Sequence, residues 1–287
     1  MKRRISICYF ISVLVAVSVG GCGGFFYHPD REKYFDPHKN GFNPQDVWFT
    51  AGDGAKLHGW WFAVPNAVGT IVQFHGNAEN LTSHFASLAW LTRERYNLFI
   101  FDYRGYGQSP GNPDAAGLYL DGMAALDTAW DLHQRTSRSS NRFVVFAQSL
   151  GVIVATRAFS DFQHRDATWM LVLDSGFCSF KDLVQEKMAD IWITWPFSPL
   201  GRLSVSDRYA CRSVLPSLRV PTLVIHDEND PVVDIRNSEM IFDALTQQEK
   251  HFWRISEGRH VAVFAIDQPN RRKLFLDLLS SRLARVK

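Results

Sequence analysis

Short runs dense in β-branched and aromatic residues alternate along this chain with longer stretches whose apolar positions recur every three or four residues. The short runs predict strands over residues 47–51, 57–64, 70–74, 98–102, 143–147, 170–173, 222–226 and 252–255. The helical period falls at about 81–95, 114–135, 150–161, 238–245 and 269–285, with Asp114, Ser238 and Asn270 near the starts. Strands separated by helices need crossover connections, and these build a largely parallel sheet covered on both faces. The inner runs agree, since Leu98-Phe-Ile-Phe, Phe143-Val-Val-Phe and Met170-Leu-Val-Leu are continuously apolar. The first two runs are parted only by residues 52–55 and read as a hairpin leading into the sheet. The expected fold is therefore α/β, with about eight mostly parallel strands and helices on both faces.

The alternation breaks at 177–215, where Trp192, Trp195, Pro196 and Phe197 cluster. A short helical insertion acting as a lid over the strand ends is expected there. Trp192, Trp195 and Phe197 are candidates to line an apolar pocket, although aromatics in an insertion serve equally as packed core.

The amino terminus obeys a different grammar. Lys2, Arg3 and Arg4 precede an apolar run from Ile5 to Val19 with no acidic residue, which is the pattern of a secretory signal. Its 15 residues fall short of the about 20 that a bilayer-crossing helix needs. Val19-Gly20-Gly21-Cys22 resembles the lipobox of bacterial lipoproteins. That resemblance implies a signal over 1–21, a lipid on Cys22, and an envelope location, at the outer membrane in a Gram-negative cell because residue 23 is Gly rather than Asp. An uncleaved signal anchor is the alternative. Residues 22–45 then read as a tether and 46–287 as the folded domain.

Charge narrows the partners. The chain has 31 basic and 29 acidic residues, and three of the basic ones lie in 1–21, so the remainder is almost neutral. No basic footprint for nucleic acid is present. Cys178 and Cys211 would sit in an oxidising compartment, as a bridge or as two thiols; spacing alone does not decide.

Chemistry in an open parallel sheet gathers beyond the carboxyl ends of its strands, and five motifs lie there. Ala147-Gln-Ser149-Leu150-Gly151 links a strand to a helix and flanks a serine with small residues. Such a turn needs small neighbours to expose the hydroxyl. A serine is a weak nucleophile at neutral pH and needs a base steadied by an acid. His226-Asp-Glu-Asn-Asp230-Pro-Val-Val and Glu257-Gly-Arg-His260 follow later strands and supply Asp230 and His260. His75-Gly-Asn77-Ala-Glu-Asn80 follows the third strand, and Phe101-Asp-Tyr-Arg104-Gly-Tyr-Gly-Gln-Ser-Pro-Gly follows the fourth.

Together these strings, over about residues 45–285, resemble the BEM46-like branch of the α/β-hydrolases, near the serine aminopeptidase-type group. The resemblance implies an α/β-hydrolase fold with a catalytic triad of Ser149, Asp230 and His260. It also implies an oxyanion hole from the backbone N–H groups of Leu150 and Asn77, with Ala78 as alternative to the latter. His75, Asp102 and Arg104 then support loops. Three departures from the family pattern stand out. Ala147 replaces the first Gly of G-x-S-x-G, Asp227 replaces the Gly of H-G-x-x-D-x-x-V, and one residue rather than two separates Gly258 from His260. Asp227 and Glu228 are rivals for the acid position but read better as solvated turn carboxylates.

The expected activity is hydrolysis of an ester, thioester or amide through an acyl-enzyme, on a small-molecule or lipid-like acyl substrate, with no metal or organic cofactor. A catalytically silent, anchored binding or assembly protein on the same scaffold is the alternative from another class. A serine peptidase is the third reading, and it needs a group for a peptide terminus that the sequence does not identify.

Overall fold

Eight strands are present: β1 (Gln45–Thr50), β2 (Lys56–Phe62), β3 (Gly69–Phe74), β4 (Tyr96–Phe101), β5 (Phe143–Gln148), β6 (Met170–Asp174), β7 (Thr222–Asp227) and β8 (Lys250–Ile255). They form one sheet in the order β1-β2-β4-β3-β5-β6-β7-β8. β2 is antiparallel to both β1 and β4, and every later pairing is parallel. The structure is a computed structural model and describes residues 27–136, 142–189, 196, 198–203, 205–265 and 267–281. Cys22, Trp192, Trp195 and Phe197 lie outside the described residues, as does the expected signal over 1–21.

The helices are α1 (Leu81–His84), α2 (Ala115–Thr136), α3 (Leu150–Asp161), α4 (Phe180–Ala189), α5 (Ser198–Gly201), α6 (Arg236–Ala244) and α7 (Pro269–Ser281). Strands β3 to β7 are buried along their whole length, which is why they read as unbroken apolar runs. Their side chains part to opposite faces. Val72, Phe101 and Val145 pack against Leu126, Phe159 and Ile241 on one face, while Ile71, Ile100 and Val144 meet Phe85, Phe275 and Leu278 on the other.

One expected element changes form. The segment expected as a helix over 81–95 is one short helix, α1, followed by 3-10 turns at Phe85–Ser87 and Ala89–Thr92. Its buried residues Phe85, Leu88 and Leu91 are spaced by three, which suits a 3-10 turn of three residues and not a 3.6-residue helix. Helix α6 begins at Arg236, two residues before Ser238, whose hydroxyl is buried and bonds His226 Nδ1 at 2.6 Å. Asp114 does cap α2, its Oδ1 accepting the N–H groups of Ala116 and Gly117 at 2.9 Å.

The insertion between β6 and β7 carries α4 and α5, and its base is closed by a disulfide between Cys178 and Cys211 with Cα atoms 4.9 Å apart. Asp182 on α4 pairs with Arg202 and, at 3.0 Å, with Arg212. The described part of the segment expected as a tether, which begins at Tyr27, touches the domain. Tyr27 is buried edge-on to Phe180, and the Gly107 N–H donates to Asp30 O at 2.8 Å.

Candidate active site

From β3 the chain turns to β4 on one side, and β5 is laid on the other, so the ends of β3 and β5 diverge at a switch point. Crevices at such points are where open α/β sheets bind ligands. Ser149 stands there between the last residue of β5 and the first of α3, with φ 52° and ψ −117°. A non-glycine residue so placed is strained and persists only when its surroundings hold it. They do: the Ser149 N–H donates to Asp174 O at 2.9 Å. A Cβ on Gly151 would lie 2.3 Å from Phe74 O, so α3 passes β3 at a distance only glycine permits. Ala147 is fully buried beside Phe74 on β3.

The His75–Asn80 loop runs alongside. A Cβ on Gly76 would sit 3.4 Å from Ser149 Cβ. Asn77 presents its carboxamide oxygen to two donors, the His28 N–H at 2.9 Å and the Tyr106 hydroxyl at 2.7 Å. Asn80 donates to Asp30 Oδ1 and Glu32 O, both at 2.8 Å, so the amino-terminal segment clasps this loop at both ends. Ala78 and Glu79 between them both have positive φ, 59° and 51°. Leu150 opens α3.

His260 and Asp230 meet across the far side of the sheet end. His260 Nδ1 donates to Asp230 Oδ2 at 2.7 Å, which leaves Nε2 as the free basic nitrogen. The Asp230 carboxylate is wholly buried, and its Oδ1 accepts the N–H groups of Val232 at 2.7 Å and Val233 at 3.1 Å. Burial pushes its pKa up, but the bond and charge of His260 and these two amides outweigh that and hold it below the usual carboxylate range. Gln148, next to Ser149, donates to Asp174 Oδ2 at 3.2 Å and reaches Val261 O at 3.5 Å, so it touches the segment that carries His260.

This architecture is matched in known proteins. Residues 65–214 match the serine aminopeptidase S33 family. The chain belongs to that family. Over 269 residues it is 30% identical to the YfhR protein of Escherichia coli O157:H7, covering 91% of this chain and 86% of the relative. It is 28% identical over 200 residues to protein bem46 of Schizosaccharomyces pombe, covering 68% and 62%. Among solved structures, the Pyrococcus furiosus esterase Pf2001 superposes with a TM-score of 0.70 at 22% identity, over 90% of this chain and 98% of that one. The acylaminoacyl peptidase of Pyrococcus horikoshii gives 0.63 at 16%, over 86% and 42%. The protein is an α/β-hydrolase of the S33 family.

In this S33 hydrolase several residues behave otherwise than their sequence setting implies. Asp227 is not a solvated turn carboxylate: it is fully buried. Its Oδ1 accepts from the N–H groups of Asn229 (2.8 Å) and Gly258 (3.0 Å), and its Oδ2 from those of Glu257 (2.8 Å) and Arg259 (3.3 Å). Burial raises its pKa, and these four amides more than reverse the shift. Glu228 is exposed, as a turn carboxylate should be.

His75 is buried with its Nδ1 donating to Gly76 O at 2.7 Å, its Nε2 3.5 Å from Asp102 Oδ1, and its ring stacked on His84. Asp102 also takes the Leu81 N–H at 2.7 Å, and Arg104 joins Asp121 and Asp53, each at 2.7 Å, so both tie loops together. Asp174 had no motif to announce it, yet it is buried beneath Ser149. Burial raises its pKa to about 6 against the opposing effects of Gln148, His260 and Ser175. Two glutamines inside otherwise apolar strands, Gln73 and Gln148, were the available signal; they bond each other at 3.0 Å. Among the described residues no group of three or more His, Cys, Asp or Glu side chains converges as a metal ion needs, and no helix is long and apolar enough to cross a membrane.

Proposed function

We propose that this S33-family hydrolase is a serine hydrolase that cleaves an acyl ester through a Ser149–His260–Asp230 triad. The observation that carries the reading is the 2.7 Å bond from His260 Nδ1 to a buried Asp230, at the same sheet end as a serine held at φ 52°. The bond fixes the tautomer that leaves Nε2 free to accept a proton, and the carboxylate steadies the imidazolium that results. His260 deprotonates Ser149 as its Oγ attacks the acyl carbonyl. The N–H groups of Leu150 and Asn77 stabilise the oxyanion, each contributing about 3 kcal/mol to the transition state. His260 protonates the leaving alcohol, and a water activated by the same nitrogen releases the acid.

The substrate is a lipid-like acyl ester. Tyr27, the first described residue, lies five residues after Cys22, and five residues of chain can span at most about 17 Å. A lipid on Cys22 would therefore hold the crevice close to a bilayer, and the apolar side chains of Trp192, Trp195 and Phe197 in the insertion are the proposed contacts for an acyl chain. Incorporation of labelled palmitate by the wild type and none by Cys22→Ser is the expected result; equal incorporation removes the anchor.

The decisive experiment is labelling of the full chain by a fluorophosphonate probe beside Ser149→Ala. Labelling that disappears in the variant is expected, followed by turnover of medium- and long-chain esters. A folded wild type that does not label would favour a silent binding scaffold instead.

A further inference from the structure

Asp227 stands where the family turn has a glycine, and Gly258 is one residue closer to His260 than the family spacing would place it. These two departures, about thirty positions apart in sequence, are in direct contact. The Asp227 carboxylate accepts the N–H groups of Glu257, Gly258 and Arg259, the three residues immediately before His260, at 2.8, 3.0 and 3.3 Å.

From this we infer that Asp227 is a positioning residue for His260: it gathers the shortened loop and so sets where the imidazole hangs. The inference rests on the hydrolase reading above and adds to it a group that never touches substrate.

The chemistry fits a carboxylate and nothing smaller. Three consecutive amides and that of Asn229 converge on one buried point, and two carboxylate oxygens accept two N–H groups each. An asparagine offers one accepting oxygen there, and a glycine offers none. No other group in the loop could replace it. Glu257 is committed to Arg271 at 2.6 Å, and Arg259 to Asp267 at 2.9 Å on the solvent side.

Beyond His260, Val261 has φ 48°, an unfavourable value for a β-branched residue. The imidazole is thus suspended between a strained residue on one side and the Asp227 anchor on the other. On its own strand Asp227 pairs with Ile255 of β8, and the Glu228 N–H donates to Ile255 O at 2.6 Å, so the anchor moves with the strand that leads into the loop. Three residues further on, Asp230 receives the imidazole. The two carboxylates of one turn thus act on different parts of the same loop. Asp227 holds the backbone before the ring, and Asp230 holds the ring.

The test uses the full chain with Asp227→Asn, Asp227→Gly, and Asp227→Gly carrying one alanine inserted between Gly258 and Arg259. Turnover is expressed per serine titrated with the fluorophosphonate, so loss of folded protein does not count as loss of rate. Asp227→Asn should lower kcat about tenfold and Asp227→Gly about a hundredfold with KM nearly unchanged, the size of effect expected when a catalytic group is displaced by about 1 Å. The insertion should recover most of the loss by restoring the two-residue spacing.

The second readout needs no activity. The downfield proton signal of His260 Nδ1–H, assigned by its disappearance in Asp230→Asn, should broaden or vanish in Asp227→Asn, which keeps the size of the native side chain and carries the test should Asp227→Gly not fold. A wild-type chain that never labels would bring down the hydrolase reading, while the proton signal still decides the role of Asp227. An unaltered signal, or a kcat per titrated serine within about twofold of wild type in Asp227→Asn, would overturn the inference.

Discussion

The loops after β5 and β8 each hold a non-glycine residue at positive φ beside a group of the crevice, Ser149 in one and Val261 in the other, yet they are held by opposite means. The Ser149 turn is built by exclusion. It is buried, Ala147 is fully enclosed, and Phe74 O stands where any Cβ on residue 151 would go. The His260 loop is built by attraction. Its residues are exposed or half-exposed, a buried carboxylate draws in their amides, and ion pairs brace the outside. Exclusion resists displacement because close-packed atoms have nowhere to move. A loop held by polar bonds gives way when one acceptor is withdrawn. The rigid half of the crevice therefore carries Ser149, the proposed nucleophile, and the adjustable half carries His260, the proposed base.

The largest effect is expected at the bond between the two halves of the polar side. Asp230→Asn should reduce kcat by about 10⁴-fold, because an amide stabilises the wrong imidazole tautomer. Steady-state ester hydrolysis measures it. A loss below about tenfold would show that the His260–Asp230 bond is not what orients the base.

A pair of glycine substitutions sharpens the contrast. Gly151→Ala forces a Cβ against two carbonyl oxygens and should cost about 3 kcal/mol or more in urea unfolding. Gly258→Ala meets nothing closer than 3.9 Å and suffers only from its φ of 70°, about 1 kcal/mol. Equal costs would break the distinction between exclusion and attraction.

The mildest test is the pH dependence beneath Ser149. The pKa of Asp174 is raised in the fold from 3.8 to about 6, so ionising it costs the folded state more than the unfolded one. Relative to the protonated carboxyl, which carries no penalty below pH 3.8, a penalty builds as pH rises from 3.8 to about 6 and stays at about 3 kcal/mol above that. Asp230 and Asp227, with lowered values, act in the reverse sense and lose their contribution as pH falls through their folded pKa. Asp174→Asn should therefore gain on the wild type in thermal stability between pH 4 and pH 7, and a difference independent of pH would refute the assignment.

Much of the fold was legible because its signals are local. Continuous apolar runs mark strands buried on both faces, and the positions of β3 to β7 differ from expectation only at their ends. The segment after β3 is ambiguous in sequence because Phe85, Leu88 and Leu91 satisfy a three-residue repeat nearly as well as a helical one. Ser149, Asp230 and His260 could be chosen as candidates from strand-end position and chain order, whereas the bond between Asp230 and His260 is a fact of the tertiary structure. The role of Asp227 is hidden for a specific reason. A carboxylate in a turn between Ile225 and Pro231 looks solvated until the loop after β8 is laid over it.

The sequence by itself determined the alternation of strand and helix, the small residues around Ser149 and the placing of chemistry at strand ends, because periodicity and steric demand act between residues a few positions apart. The tertiary structure decided that Cys178 bonds Cys211, that the segment from Tyr27 clasps the Asn77 loop, and that Asp227 holds the residues before His260. The physical reason is that most of these contacts end on backbone amides. Every residue but proline carries the same N–H, so no letter in the sequence marks the ones a distant carboxylate will find.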